Sequence, residues 1–96
     1  MTLDELYRIV CERRDHPSDG SYTVHLLQTG QDEILKKIGE EAVEVILAAS
    51  GQGQTRLVEE TADLLYHLLV LLAQQNLPLE LVMAELQRRH AEKVAR

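Results

Sequence analysis

The chain has 96 residues, a formal net charge of −6 and a hydrophobic fraction of 45%. This length fits one small domain with a single core and leaves no room for two. The acidic balance argues against a basic face that grips a nucleic-acid backbone, so we expect no nucleic-acid partner. The longest apolar run, 68–73, is far too short to span a bilayer, so we expect no membrane partner.

The hydrophobic residues are almost all aliphatic, since the sequence has three Tyr but neither Phe nor Trp. Aliphatic residues together with Ala, Glu, Gln, Lys and Arg favour helix over strand. The single cysteine, Cys11, has no partner for an intrachain disulfide, and the first residues lack the pattern of a signal peptide. We therefore expect a cytoplasmic protein.

Turn residues divide the chain into helical segments. Thr2 is a suitable N-cap for a first helix over about 3–14, which the Pro- and Gly-containing loop 15–20 ends. Segment 21–27 suits a strand or a short helix; without a second strand to pair with, we predict a loop leading into a short helical turn that ends at Gly30. Three longer helices are predicted over about 31–50, 54–75 and 79–93. The expected fold is a single all-α domain, an antiparallel bundle of four to five helices.

Five acidic residues lie in two clusters within otherwise apolar, helix-period sequence: Glu40, Glu41, Glu44, Glu60 and Asp63. A carboxylate among aliphatic neighbours loses hydration, and convergent carboxylates repel one another, so their burial is costly without a cation. The pairs Glu41/Glu44 and Glu60/Asp63 are spaced i, i+3, so each helix presents two carboxylates to one region. We therefore predict that these four residues bind Mg²⁺, with Mn²⁺ as a possible substitute.

The two helices that contain the clusters are apolar on more than one side, which is typical of helices buried on two faces. A bundle this small would leave the second apolar sides exposed, around Val43, Leu47, Leu65 and Leu69. Such a patch is larger than monomers normally expose. We therefore predict a homodimer in which these sides are paired.

Other uses of the carboxylates remain open. A ferritin-like di-iron site requires Glu-x-x-His pairs, whereas Glu44 and Asp63 are followed three residues later by Leu and Tyr. A non-catalytic helical dimerisation module would use its carboxylates only to keep its faces hydrated. Glu40 and Glu59 point away from the main clusters, so we expect them to face solvent or to support the ligands.

The acidic clusters belong to a longer pattern that matches a known family. Glu-Glu-x-x-Glu at 40–44 is followed by Glu-x-x-Asp at 60–63, as in the MazG-like all-α nucleoside triphosphate pyrophosphatases. Ser-Tyr-Thr at 21–23, Lys-Ile-Gly-Glu-Glu at 37–41 and Leu-Tyr-His at 65–67 are also present. With these stretches the chain resembles the phosphoribosyl-ATP pyrophosphohydrolase family over essentially its whole length.

The resemblance implies an enzyme of histidine biosynthesis. The implied reaction hydrolyses 1-(5-phosphoribosyl)-ATP to 1-(5-phosphoribosyl)-AMP and pyrophosphate, with Mg²⁺ as the cofactor and a homodimer as the assembly. It implies catalytic and metal-binding roles for Glu41, Glu44, Glu60 and Asp63. A housecleaning pyrophosphatase of the same superfamily, acting on ordinary or damaged nucleoside triphosphates, is the alternative that shares these ligands.

Five further residues are candidates for substrate binding. Lys37 lies one turn before the first cluster, where it binds phosphate or pairs with a cluster carboxylate. Tyr22 borders the nucleotide pocket or simply packs, and Arg88 on the last helix reaches the phosphates or stays at the surface. His67 follows the second cluster by one turn and is expected to support the site or the core, because Mg²⁺ prefers oxygen ligands. We expect Glu40 to lie beside the four predicted metal ligands.

Overall fold

The structure is a computed structural model that describes residues 1–93 of the chain. Regular structure in this range is entirely helical, as the sequence predicts. The α-helices are α1 (Leu3–Asp15), α2 (Tyr22–Thr29), α3 (Gln31–Leu47), α4 (Gln54–Gln74) and α5 (Leu79–Lys93). A π-helical turn, Ala48–Gln52, lies between α3 and α4. The all-α prediction is therefore confirmed.

Helix α2 is longer than the sequence predicts. It begins directly at Tyr22, whereas we expected a loop before a short helical turn. The physical reason is its N-cap: the Ser21 hydroxyl accepts a hydrogen bond from the Val24 amide at 3.3 Å, which satisfies an otherwise free donor. Gly30, at φ 109°, ends α2 and allows α3 to start at once.

Helix α3 ends earlier as an α-helix than the expected boundary near residue 50. After Leu47 the small residues of 48–51 continue as a wider π-helical turn. The Ser50 hydroxyl donates to the Ile46 carbonyl at 2.8 Å, so a side chain competes there with the backbone ladder. Gly53, at φ 91°, then reverses the chain into α4.

The hydrophobic core lies between the first four helices, with α4 at its centre. Helix α4 packs against α1, α2 and α3, and its most extensive contact is with α3. The residues at the centre of the core are Val10, Leu26, Ile34, Val70 and Ala73. Since α3 and α4 contain the two acidic clusters, this packing determines how the clusters face each other.

Helix α5 leaves the bundle at a bend of 113° from α4. It has few contacts with the other helices, and its apolar residues Leu81, Met83 and Leu86 are each more than half exposed. No described helix is by itself long and apolar enough to span a membrane; α4 and α5 together reach that length and composition only across this bend.

The expected second apolar side is present in part. Val43 is 53% exposed, Leu47 46% and Leu65 40%, but Leu69 is only 4% exposed. The expectation that Leu69 belongs to the exposed side is therefore wrong. One helical turn rotates Leu69 by about 40° around α4 relative to Leu65, which is enough to move it out of solvent.

The end of α1 is tied to the end of α4 by Arg14, whose guanidinium donates to the Ala73 carbonyl at 2.8 Å and to Asn76 Oδ1 at 3.2 Å. We expect Arg14→Gln to lower the free energy of unfolding by about 1–2 kcal/mol, because two charge-assisted hydrogen bonds are lost. Urea denaturation measures this. Arg8→Gln, which removes an exposed pair with Asp4, should lower the free energy of unfolding by less than about 0.5 kcal/mol. Equal losses of stability in both variants would contradict the role of Arg14 in joining α1 to α4.

Candidate active site

Three of the predicted carboxylates converge where α3 packs against α4. Glu41 on α3 and Glu60 and Asp63 on α4 each place a ligand oxygen within 4.8 Å of the other two. Glu60 is buried at 6% exposure, Glu41 is half-buried and Asp63 is exposed. The carboxylate cluster, as we call these three residues, therefore has a buried floor and opens to solvent at Asp63.

The other acidic residues of the two motifs lie outside this cluster. Glu44 is half-buried one turn further along α3, and within residues 1–93 it does not join the convergent group. Glu40 is exposed, with its carboxylate 4.0 Å from Lys37 Nζ. Glu59 is also exposed, and it pairs with Arg56 at 3.2 Å. The structure thus brings together three of the four predicted ligands and sets Glu44 apart.

The electrostatics of the cluster show a shortage of positive charge. The pKa of Glu41 is raised to about 7, mainly by burial and also by the adjoining Glu60 carboxyl and the charge of Asp63, while Lys37 opposes the rise. Near neutral pH, Glu41 thus holds a proton for part of the time. Three oxygen donors, one of them buried, suit a hard divalent cation such as Mg²⁺ or Mn²⁺.

Sequence reasoning missed Arg56, which lies in direct contact with the cluster. Its Nη2 is 2.5 Å from Glu60 Oε1, and its Nη1 is 3.2 Å from Glu59 Oε1. The signal was present in the sequence, because Arg56 precedes Glu59 and Glu60 by three and four residues, the spacing of helical ion pairs.

Helix α2 is joined to the acidic turn of α4 through Tyr22 and His67. The His67 imidazole is buried, and its Nδ1–H donates to the Asp63 carbonyl at 2.7 Å, since that carbonyl only accepts. Nε2 is then free to accept from the Tyr22 hydroxyl at 3.1 Å. A second hydrogen bond joins the hydroxyls of Thr23 and Tyr66. Tyr22 is thus fixed on a helix, not carried on a loop as expected.

A groove of about 510 Å³ lies beside α2. Its lining residues are Ser18, Asp19, Gly20, Ser21, Tyr22, Val24, His25 and Gln28. The carboxylate cluster is outside this groove, but Tyr22 belongs to its wall and also contacts His67. Tyr22 and His67 therefore connect the wall of the groove to the backbone of Asp63.

The two predicted cationic candidates differ in position. Lys37 lies on α3 one turn before Glu41, and its side chain is 34% exposed. Arg88 lies on α5, where its guanidinium pairs with Glu85 at 2.6 Å and Glu92 at 2.7 Å. These hydrogen bonds, with those of the adjacent arginine, lower the pKa of Glu85 to about 2. Within the described range, no polar contact joins Arg88 to the carboxylate cluster.

Comparison with known proteins points to one family. The family described as phosphoribosyl-ATP pyrophosphohydrolase matches residues 3–90. A phosphoribosyl-ATP pyrophosphatase from Trichlorobacter lovleyi is 52% identical over 99 residues, covering 98% of this chain and 92% of that protein. One from Pelotomaculum thermopropionicum is 54% identical over 91 residues, covering 95% and 93%. The histidine biosynthesis bifunctional protein HisIE of Bacillus subtilis is 51% identical over 90 residues, covering 94% of this chain and 43% of that protein.

We expect the metal-free protein to lose stability as the pH rises. The Glu41 pKa is about 7 in the folded protein against an ordinary value of 4.5, so the folded state binds this proton more tightly than the unfolded state. The resulting stabilisation is complete below pH 4.5 and is lost as the pH rises through about 7. Urea denaturation in EDTA between about pH 5 and 8 measures the decline, and Glu41→Gln should flatten it. A wild-type profile that rises over this window would contradict the assignment.

Proposed function

Because the chain belongs to the phosphoribosyl-ATP pyrophosphohydrolase family, we propose that it hydrolyses 1-(5-phosphoribosyl)-ATP to 1-(5-phosphoribosyl)-AMP and pyrophosphate in histidine biosynthesis. The reaction breaks the bond between the α-phosphorus and the bridging oxygen to the β-phosphorus, or the opposite bond of that bridge, and water supplies the new oxygen. The observation that supports it best is the convergence of Glu41, Glu60 and Asp63 on two packed helices inside the matched region.

The proposed cofactor is Mg²⁺, with Mn²⁺ as a substitute, held by Glu41, Glu60 and Asp63. Glu44, one turn further along α3, is the proposed fourth ligand. A bound divalent cation would stabilise the negative charge that develops on the phosphoryl oxygens. The buried position of Glu60 and the raised pKa of Glu41 support this site, because the cluster holds more carboxylate charge than the single guanidinium of Arg56 neutralises.

The proposed substrate contacts follow from the hydrogen bonds around the cluster. Partial burial raises the pKa of Tyr22, so its hydroxyl stays protonated and donates a hydrogen bond to His67. The Tyr22 oxygen is then an acceptor, which suits a ribose hydroxyl better than a phosphate. Lys37 is the proposed phosphate contact from α3, and Glu40 holds it near the cluster. The groove that begins at Tyr22 offers room for the remainder of the nucleotide.

Two further proposals concern the assembly and the location of the protein. We propose a homodimer, because Val43, Leu47 and Leu65 form apolar surface on α3 and α4 that one chain leaves exposed. Pairing these helices between two copies would cover that surface. We propose a cytoplasmic location, since the lone Cys11 suits a reducing compartment.

Removal of single cluster carboxylates should abolish most of the activity. We expect Glu41→Gln, Glu60→Gln and Asp63→Asn each to lower kcat at least about 100-fold, because each removes a ligand from the cation that stabilises developing charge. Glu44→Gln should have a smaller effect, and Glu12→Gln on α1 serves as the charge-matched control. Near-normal turnover in two of the three cluster variants at saturating Mg²⁺ would contradict the site.

Product analysis tests the substrate. Incubation with phosphoribosyl-ATP and Mg²⁺ should release pyrophosphate and phosphoribosyl-AMP in equal amounts, with no free phosphate. Hydrolysis of deoxynucleoside triphosphates without action on phosphoribosyl-ATP would instead support a housecleaning pyrophosphatase.

Sedimentation velocity at about 1–10 µM tests the assembly, since an interface of this apolar kind should resist dilution. The expected species is a dimer or larger. A folded and active monomer at these concentrations would contradict the dimer.

A further inference from the structure

Arg56 occupies a position that helix physics alone does not favour. Helix α4 begins at Gln54, so Arg56 lies in its first turn, where the helix dipole disfavours positive charge. Its side chain is 47% exposed, yet the guanidinium turns toward two carboxylates, Glu60 at 2.5 Å and Glu59 at 3.2 Å. These carboxylates therefore explain its placement.

Glu60 is the partner that needs this contact. Its side chain is 7% exposed, whereas the Glu59 side chain is 55% exposed and remains hydrated. Within residues 1–93, Arg56 is the one cation in ion-pair contact with any member of the carboxylate cluster. Because a buried carboxylate without a partner is costly, Arg56 compensates the most deeply buried negative charge of the site.

A divalent cation in the cluster would need the same carboxylate. A metal–oxygen bond is about 2 Å long for Mg²⁺, so the ion and a guanidinium on one carboxylate would lie a few ångströms apart and repel each other. Arg56 can leave, because about half of its side chain already faces solvent and Glu59 offers a second partner at the rim.

We propose that Arg56 is an internal counter-ion for Glu60, which a divalent cation displaces when it binds to the carboxylate cluster. The proposal rests on the metal site proposed above. In the metal-free protein the guanidinium stabilises the buried Glu60. When the cation binds, Arg56 leaves Glu60 and keeps its contact with Glu59. The loss of the Arg56–Glu60 pair weakens metal binding by the same free energy that the pair contributes.

Direct titration with Mn²⁺, without substrate, tests this competition. Four proteins are compared by calorimetry: wild type, Arg56→Gln, Arg56→Lys, and Arg8→Gln as the charge-matched control on α1. We expect Arg56→Gln to bind Mn²⁺ about three- to tenfold more tightly than wild type, the effect of a partly exposed ion pair. The Mn²⁺ affinity of Arg56→Lys should lie between those of wild type and Arg56→Gln. The affinity of Arg8→Gln should stay within about twofold of wild type.

Thermal unfolding separates competition from a merely structural role. In EDTA, Arg56→Gln should melt a few degrees below wild type, because Glu60 has lost its partner. At saturating Mn²⁺ the two melting temperatures should coincide, since the wild-type pair is already broken. A residue that only stabilises α4 would lower both temperatures equally. If Arg56→Gln is unfolded in EDTA, recovery of wild-type helix content with Mn²⁺ supports the proposal, and failure to recover overturns it.

The outcomes distinguish this inference from the metal site itself. Equal or weaker Mn²⁺ binding by Arg56→Gln, beside a wild type that binds saturably, overturns the role of Arg56 and leaves the site in place. Absence of saturable Mn²⁺ binding in wild type and all variants overturns the metal site, and the role of Arg56 with it.

Discussion

The burial of the Glu60 carboxylate between α3 and α4 is the constraint on which the rest of the site depends. An anion in this position requires a cation, a proton or strong donors nearby. The structure provides two partial answers: the Arg56 guanidinium at 2.5 Å and a neighbouring carboxyl, Glu41, whose pKa rises to about 7. A divalent cation at the proposed metal site would replace both. The aliphatic core that packs α3 against α4 thus holds a buried negative charge in a fixed position.

Helix α2 is connected to this arrangement by hydrogen bonds. Its N-terminal Tyr22 is held by a buried imidazole, and that imidazole is held by the backbone of Asp63 itself. A displacement of α2 would therefore disturb the same helical turn that supplies the exposed carboxylate. The positive φ of Gly30 makes this possible, because α3 starts without any linker and the two helices keep a defined angle.

Much of the fold was predictable because helical periodicity, caps and breaking residues are local signals. The bounds of α1, α4 and α5 agree with the sequence prediction to within a residue or so at each end, and the i, i+3 spacing indicated that Glu60 and Asp63 share a face. Burial against other helices is not local. The exposure of Leu69 was misjudged for that reason, and the Tyr22–His67 contact joins residues 45 positions apart.

The predicted metal ligands show the same difference between local signals and packing between helices. Spacing alone made Glu44 equivalent to Glu41, yet only the packing of α3 on α4 decides which of the two faces Glu60. Arg56 was missed because an ion pair along one helix is usually a surface feature of little consequence. Here it matters, since one partner is buried. The importance of a charged residue therefore depends on how deeply its partner is buried.

A crystal structure of the protein grown with Mn²⁺, with the anomalous signal of the metal recorded, would show whether a cation takes the place of Arg56 at Glu60. We expect an anomalous peak bonded to Glu41, Glu60 and Asp63, with the Arg56 guanidinium withdrawn from Glu60. A peak at other ligands, or a cluster without metal in which Arg56 still contacts Glu60 at saturating Mn²⁺, would contradict this expectation.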